Sequence, residues 1–433
     1  MLFLAIRFCY TKLIMTNDIS TLVKQLFTRF YEDWRELSVQ EFLSYIRTKI
    51  DQQIGLDDFE KRVAKKGTLR VKFGIDPTGP DVHMGHLLPI MLLRQFQRAG
   101  HKVQFIIGNF TARIGDPSGR NDQRPALTDK DIANNLRTYL DQVGPYLNMK
   151  KVKVHKNAKW LSKMDFSDIL NDLLQLPLSE FLQRQDFRAR LDAGHGLSVG
   201  ELLYSYAQGI DSVQTNADVE VGGRDQLLNF SHARTIMKEL YHMEPEIALT
   251  TPVLEGTSGD GRKMSKSYNN YIGLSESSAQ VFGKVMSIPD SLVVPYFVAF
   301  ADITQKEISL LEECVKQDPL ETKKQLGQFL VAIKERSLDA GARVRAEFES
   351  TFSKKSYEEA SLPELHAKEY DTYHTLLVNA SVIESKSELS RLFEQGAIKM
   401  VDPEECVVSS DDIVKEGVLR VGKKKYFRVV MSD

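Results

Sequence analysis

The sequence predicts an α/β chain: a parallel sheet with helices on its faces, followed by an α-helical region and a small α+β module. Three observations carry this. Residues 69–109 run strand, helix, strand in close succession, the pattern of a βαβ unit. From about residue 270 to 350 apolar residues fall at helical spacing with few strand signals. Residues 372–433 change texture, to one capped helix and several short strands.

Composition sets the outer limits. The 433 residues are 42% hydrophobic and 27% charged, with a formal net charge of −2, which describes a soluble globular chain long enough for several domains. A balance so near neutral excludes a chain coated in positive charge for unspecific nucleic-acid binding, so any basic face must be local. Three scattered cysteines, Cys9, Cys314 and Cys406, support neither a disulfide framework nor a CxxC metal site, and point to a reducing compartment. The opening "MLFLAIRFCYTKLIM" has Arg7, Lys12 and no acid. The true start is expected to be Met15, or these residues are a frayed extension, with a weak signal or transit peptide as the alternative. No apolar run is long enough for a membrane span.

The elements follow in order. Leu22, Val23, Leu26, Phe27 and Phe30 share one helical face, and Ser38 with Glu41 predicts a capping box for a second helix, so residues 1–64 are expected to be a helical extension. "LRVKFGI" (69–75) then reads as a strand ending in the turn "DPTGP". "HMGHLLPIMLLRQFQRAGH" follows as a helix that tolerates Pro89 in its first turn and stops at Gly100, and "KVQFIIGN" is the next strand. Ligands of such folds sit beyond the C-terminal strand ends, so Asp76, His83 and His86 after the first strand and Thr111 and Asp116 after the second converge on one edge. This sheet domain spans 65–265, with a helical insertion that includes a helix capped at Thr128; a helical domain spans 266–352.

The charged, weakly apolar stretch 353–371 is expected to be a linker, and 372–433 a separate module. In that module Ser385 and Glu388 predict a capping box and Gly396 a helix stop. Between Gly417 and Val430 stand Arg420, Lys423, Lys424, Lys425 and Arg428 with no acid, interleaved with Tyr426 and Phe427. Such a patch suits phosphates and stacked bases, or is a solvated turn of a hairpin.

Two motifs carry chemistry. His83 and His86, three apart at a helix start, lack the HExxH pattern of a zinc site. Imidazoles there can instead donate hydrogen bonds to a phosphate as its charge grows, while Gly85 lets a ligand approach the backbone. "GRKMSKS" sets Lys263 and Lys266 behind Gly256, Gly259 and Gly261, a loop able to close two ammonium groups over a triphosphate. Each motif alone also fits a duller role, a nucleotidyltransferase turn or a basic surface loop. Their conjunction in one chain is what narrows the choice.

"FGIDPTGPDVHMGH", "IGDPSG", "YSYAQGID", "VGGRDQ" and "GRKMSKS" stand here in an order that resembles the tyrosyl-tRNA synthetases of bacterial type, class I enzymes on a Rossmann-like fold. The resemblance is strong over residues 65–300 and extends more loosely to a C-terminal RNA-binding domain. It implies a tyrosine–tRNA ligase that uses ATP with Mg²⁺, forms tyrosyl-adenylate, and charges tRNA(Tyr) as a cytoplasmic homodimer with no membrane part. His83, His86, Lys263 and Lys266 then carry catalysis. Asp76, Thr78, Gly85, Gly223, Asp225, Met264, Ser265 and Ser267 fall where the family handles ATP. Thr111, Asp116, Tyr204, Gln208, Asp211 and Gln226 fall where it holds tyrosine, with Asp211 accepting the phenol O–H. No metal-binding residue is implied.

Three positions depart from the wording of many members: Lys72 where some carry a tyrosine, Asn109 where an acid is common, and Arg224 where a small residue is usual. A tryptophanyl enzyme shares the fold and both motifs, but Tyr204, Gln208 and Asp211 disfavour it. A catalytically idle RNA-binding paralogue would be expected to lose His86, Lys263 or Lys266, and all are present.

Overall fold

The computed structural model describes residues 19–77, 82–113, 128–181, 188, 191–194, 198–352, 362–380, 382–383, 385–402, 406–422 and 425–431. The chain forms two compact units, Met1–Val344 and Arg345–Asp433.

The larger unit is built on six strands: β1 (Gln52–Ile54), β2 (Arg70–Ile75), β3 (Lys102–Ile107), β4 (Lys153–Lys156), β5 (Val219–Gly223) and β6 (Ile247–Thr251). Their order is β1-β6-β5-β2-β3-β4; all neighbours are parallel except β1, which runs antiparallel to β6. β2 and β3 are the strands expected from sequence, joined by helix Leu87–Arg98. With helices on both sheet faces, β6 is buried throughout and β3 from its second residue, so even Gln104, Thr250 and Thr251 are buried and neither strand shows the polar-out alternation of a half-exposed strand. Strand order reverses between β2 and β5, and the crevice beyond that point is where such sheets hold ligands.

Helix Leu87–Arg98 is buried from Leu87 to Phe96. Its polar members do not face water: Arg94 and Gln95 both bond the buried Asp302 carboxylate, at 3.0 and 2.8 Å. Gly100 ends the helix at a φ of 88°, where a side chain would be strained. The Ser38–Glu41 capping box forms as its spacing predicts, and Thr128 caps its helix as expected, in a box with Asp131. One expectation is corrected: residues 1–64 are not wholly helical, since β1 pairs Gln53 with Leu249 at the sheet edge. A three-residue polar strand has no alternation to read, and the partner strand dictates it.

Past β6, helices Ser278–Met286, Val293–Phe300, Gln305–Gln317 and Pro319–Glu335 close around buried Phe282, Phe297 and Phe329. Helix Ile19–Tyr31 belongs to the same unit, because the Arg29 guanidinium grips Glu307 with two 2.8 Å bonds. The unit boundary falls inside helix Leu338–Phe352, ahead of the expected linker.

In the smaller unit β7 (Glu364–Ala367), β8 (Ile398–Asp402), β9 (Cys406–Val407), β10 (Gly417–Val421) and β11 (Lys425–Met431) form a sheet ordered β7-β11-β10-β8-β9. β7 lies within the stretch 353–371 expected as linker, and corrects it: Leu365 and Ala367 point into the core while Glu364 and His366 point out. Residues 353–361 lie outside the described part. The Ser385–Glu388 capping box does not form either. The Ser385 hydroxyl is 2.7 Å from that of Ser387, and the Glu388 N–H goes to the Ser385 carbonyl. Gly396 does end the helix, at a φ of 60°.

Candidate active site

The mouth of the crevice is made by the turn after β2 and the loop after β6. A 3₁₀ turn, Met84–His86, leads into helix Leu87–Arg98 and brings the two imidazoles face to face, 3.8 Å between centroids. The His83 backbone N–H donates to His86 Nδ1 at 3.2 Å, so His86 carries its proton on Nε2, the nitrogen left to donate. His83 is 9% exposed, and its Nδ1 is buried with no partner among the described residues. Burial first, then the neighbouring His86, Lys266 and Lys263, push its pKa down to about 3, so this ring is neutral.

The loop that carries the two lysines lies opposite the histidines. Its backbone says the same: Met84 N–H donates to Ile272 O at 2.9 Å, His83 bridges Gly273, and a Cβ on Gly85 would lie 3.6 Å from Met264 Cβ. Met264 is the buried anchor of the loop; Lys263, Lys266 and Ser267 are exposed. The buried Asn270 side chain staples the loop closed, accepting from Ser265 N–H at 2.8 Å and donating to Lys263 O at 3.2 Å. Gly256 must lack a side chain because a Cβ there would sit 2.1 Å from Asn270 Nδ2. Ser265 and Ser267 hydroxyls bond each other at 2.8 Å.

The floor is assembled from strand ends and helix Val199–Thr215, which a Ser198–Glu201 capping box starts. Asp76 accepts from Tyr204 Oη at 2.9 Å and from Thr111 Oγ1 at 3.0 Å. Asn157 Nδ2 reaches both Thr111 Oγ1, at 3.1 Å, and Asp211 Oδ2, at 3.2 Å. Trp160 Nε1 donates to Asp211 Oδ1 at 2.7 Å. One hydrogen-bonded chain thus joins Tyr204, Asp76, Thr111, Asn157, Asp211 and Trp160. Burial raises the Asp211 pKa to about 6, against the opposing pull of the Lys72 charge and the two donors. Gln226 on the turn after β5 accepts from Asn229, which accepts from Ser205 at 2.7 Å, tying that turn to the same helix. Asp225 is exposed beside Gly223, where a Cβ would lie 2.6 Å from its Oδ1.

The residues expected after β2, β3 and β5, on helix Val199–Thr215 and on the 263–267 loop are therefore gathered at one edge; Thr78 and Asp116 lie outside the described residues. Asn157 and Trp160 were not anticipated. Neither belongs to a periodic pattern, and only the pairing of β3 with β4 brings them under Asp211.

A family model of class I tRNA synthetases (W and Y) matches residues 64–353. A tyrosine–tRNA ligase of Thermotoga maritima is 36% identical over 398 residues, 91% of this chain and 98% of that protein. One from Symbiobacterium thermophilum is 38% identical over 386 residues, 86% and 92% of the two chains. This chain belongs to the tyrosine–tRNA ligase family of class I tRNA synthetases. The fold is also that of a C-terminally truncated mitochondrial tyrosyl-tRNA synthetase of Aspergillus nidulans, with a TM-score of 0.59, 24% identity, and coverage of 76% of this chain and 99% of that one. A tyrosyl-tRNA synthetase from Archaeoglobus fulgidus, complexed with L-tyrosine, shares it at a TM-score of 0.56 and 19% identity, over 71% and 100% of the two chains.

The three departures of this synthetase now have physical accounts. Asn109 Oδ1 accepts from Ala158 N–H at 3.0 Å, fixing the turn that carries Trp160. Arg224 at the rim pairs with Asp51 at 3.3 Å, the residue that leads into β1. Lys72 is wholly buried and paired with Glu220 at 2.8 Å.

Proposed function

We propose a division of labour for the reaction of this tyrosine–tRNA ligase, which activates L-tyrosine with ATP to tyrosyl-adenylate and pyrophosphate and then transfers tyrosine to the 3′ end of its tRNA. The tyrosine carboxylate attacks the α-phosphorus as the bond to pyrophosphate breaks. His86 Nε2–H and the neutral His83 ring donate to the phosphate oxygens, and Lys263 and Lys266 hold the leaving pyrophosphate. No covalent bond to the protein is needed; alignment and charge stabilisation suffice. The carrying observation is Met264 against Gly85, which sets the lysine loop over the histidine turn. Asp76, Thr78, Gly223, Asp225, Ser265 and Ser267 serve ATP, with Mg²⁺ arriving on the triphosphate.

On the amino-acid side Asp211 accepts the phenol O–H, and Trp160 and Asn157 hold its carboxylate in place. Thr111, Asp116, Tyr204, Gln208 and Gln226 complete the tyrosine site. An acceptor built for a hydroxyl is left buried and unpaired by phenylalanine, which is the physical basis of the choice.

For tRNA, the smaller unit offers a basic sheet face. Register sets Arg420 beside Lys399 and Tyr426, and Arg428 beside Val418, all on the side away from the helices. Phe427, expected among these residues, packs against the core instead. Lys423 and Lys424 lie outside the described residues, as does the side chain of Lys425. For self-association, helix Phe166–Leu173 and the segment after it expose Phe166 (78%), Leu170 (45%), Leu174 (77%) and Leu178 (58%) at helical spacing, an apolar stripe suited to a second copy. We place the enzyme in the cytoplasm on its likeness to the bacterial tyrosine–tRNA ligases alone.

The test is amino-acid-dependent ATP–pyrophosphate exchange across the twenty amino acids, expected to respond to tyrosine alone; exchange driven equally by another amino acid refutes the assignment. Truncation after residue 352 is expected to spare exchange and weaken charging of tRNA(Tyr). Full charging by the truncated chain removes the tRNA role of the smaller unit.

A further inference from the structure

Beneath the helix that carries Tyr204, Gln208 and Asp211 lies a buried polar layer. Lys72 on β2 and Glu220 on β5 are direct partners in the parallel register and project from the same face of the sheet. Lys72 Nζ has three donors and three acceptors: Glu220 Oε1 at 2.8 Å, Ser212 Oγ at 2.7 Å and the Gln208 carbonyl at 3.0 Å. Glu220 Oε1 also receives the Gln208 side chain, Nε2 at 3.1 Å. Paired with the Lys72 ammonium at 2.8 Å, this oxygen is an ionised acceptor without a proton, so it can meet only the NH₂ end of the amide; the carbonyl end would face it acceptor to acceptor. Gln208 Oε1 is thereby turned the other way. It is buried with no partner among the described residues, on a residue only 9% exposed. An orphaned acceptor of this kind marks a place that a donor from outside the chain completes.

We propose that Lys72 and Glu220 are a positioning pair that fixes the Gln208 amide with Oε1 presented to the ammonium group of bound tyrosine. The inference rests on the assignment of Gln208 to the amino-acid site and goes beyond it, since it gives a role to Lys72 and Glu220, both at 0% exposure. The pair also explains how this chain keeps a lysine in the middle of a core strand. Each of its protons is satisfied, and the charge of Glu220 offsets its own. Glu246, at 3.1 Å from Ser212 Oγ, closes the layer from the β6 side.

The pair is tested by equilibrium binding to the full-length protein of two ligands, L-tyrosine and 3-(4-hydroxyphenyl)propionic acid, which lacks only the ammonium. Glu220→Gln offers the Gln208 side chain an amide in place of a fixed acceptor, so the two amide ends become interchangeable. It is expected to weaken L-tyrosine about 10-fold and leave the deamino analogue within about 2-fold, the size of one hydrogen bond to a charged group. Combined with Gln208→Ala it is expected to add nothing to the single change, because both act through one contact. Where Glu220→Gln does not fold, Lys72→Met removes the cation that holds Glu220 ionised, and the same selective loss is expected. Equal weakening of both ligands, or additive losses in the double variant, overturns the proposal in favour of a general structural role. If Gln208→Ala weakens L-tyrosine and Glu220→Gln does not, the pair fails while the assignment of Gln208 stands. If Gln208→Ala itself leaves L-tyrosine binding unchanged, both fall.

Discussion

Two regions of this active site both hold ionisable groups away from water, and they treat charge in opposite ways. At the mouth, burial drives His83 toward neutrality and its neighbours Lys266 and Lys263, of like sign, drive it further. At the floor, burial drives Asp211 toward neutrality and its neighbours pull it back: the Lys72 charge, then the Trp160 and Asn157 donors. The floor is neutralised by the protein itself. The mouth carries an excess of positive charge that a polyanion would neutralise. Two exposed ammonium groups set beside a buried neutral imidazole suit an anionic ligand.

Breaking the mouth is expected to give the largest effect. Lys263→Ala with Lys266→Ala should slow tyrosine-dependent pyrophosphate exchange by about 10³-fold or more, as loss of transition-state charge stabilisation does, with tyrosine affinity unchanged. A parallel loss of tyrosine affinity would erase the distinction between the two regions. At the floor, Asp211→Ala orphans the donors of Trp160 and Asn157 and removes the acceptor proposed for the phenol. The preference for tyrosine over phenylalanine in exchange should fall by roughly two orders of magnitude, about 3 kcal/mol. Retention of the preference would move phenol recognition elsewhere. Trp160→Phe removes one donor and keeps the ring, so a rise in KM for tyrosine of about 10-fold is expected, with kcat little changed. A fall confined to kcat would place Trp160 with the chemistry instead.

The smallest effect concerns acid stability. His83 and His101 titrate near 6.5 when unfolded and are depressed to about 3 and about 4 when folded, chiefly by burial. The unfolded chain therefore binds more protons in that window. The stabilisation from both rings is present above 6.5 and is lost as pH falls toward 4. Asp211 has the opposite sign: its folded pKa of about 6 exceeds the ordinary 3.8, so the folded state takes up its proton first and stability rises as pH falls between those values. Asp211→Asn should thus make urea-unfolding stability decline more steeply between pH 6 and 4 than in the unaltered protein; an unchanged slope would deny the floor its raised carboxyl.

Much of the mouth was legible in the sequence because its residues come in short, contiguous runs. The β2 strand, the glycine-bearing histidine turn and the helix that stops at Gly100 are all local features, written in periodicity and turn chemistry. The floor was half legible. Tyr204, Gln208 and Asp211 lie on one helix, whereas their supports come from four strands or strand ends: Lys72 from β2, Asn109 after β3, Asn157 after β4 and Glu220 from β5. The smaller unit divides the same way, with the stop at Gly396 foreseen and β7 hidden in a charged stretch.

The sequence by itself determined the α/β class, the order of the chemical motifs, and the kind of ligand the lysine loop and the histidine turn were suited to. These depend on spacing along a single strand, turn or helix, which chain connectivity enforces. Tertiary structure alone decided that Met264 would pack on Gly85, that Trp160 would hold Asp211, and that Lys72 would be a buried partner of Glu220. Those are pairings between distant segments, selected by strand order and register, and a buried charge or amide takes its meaning from whichever group the fold sets within 3 Å or so of it.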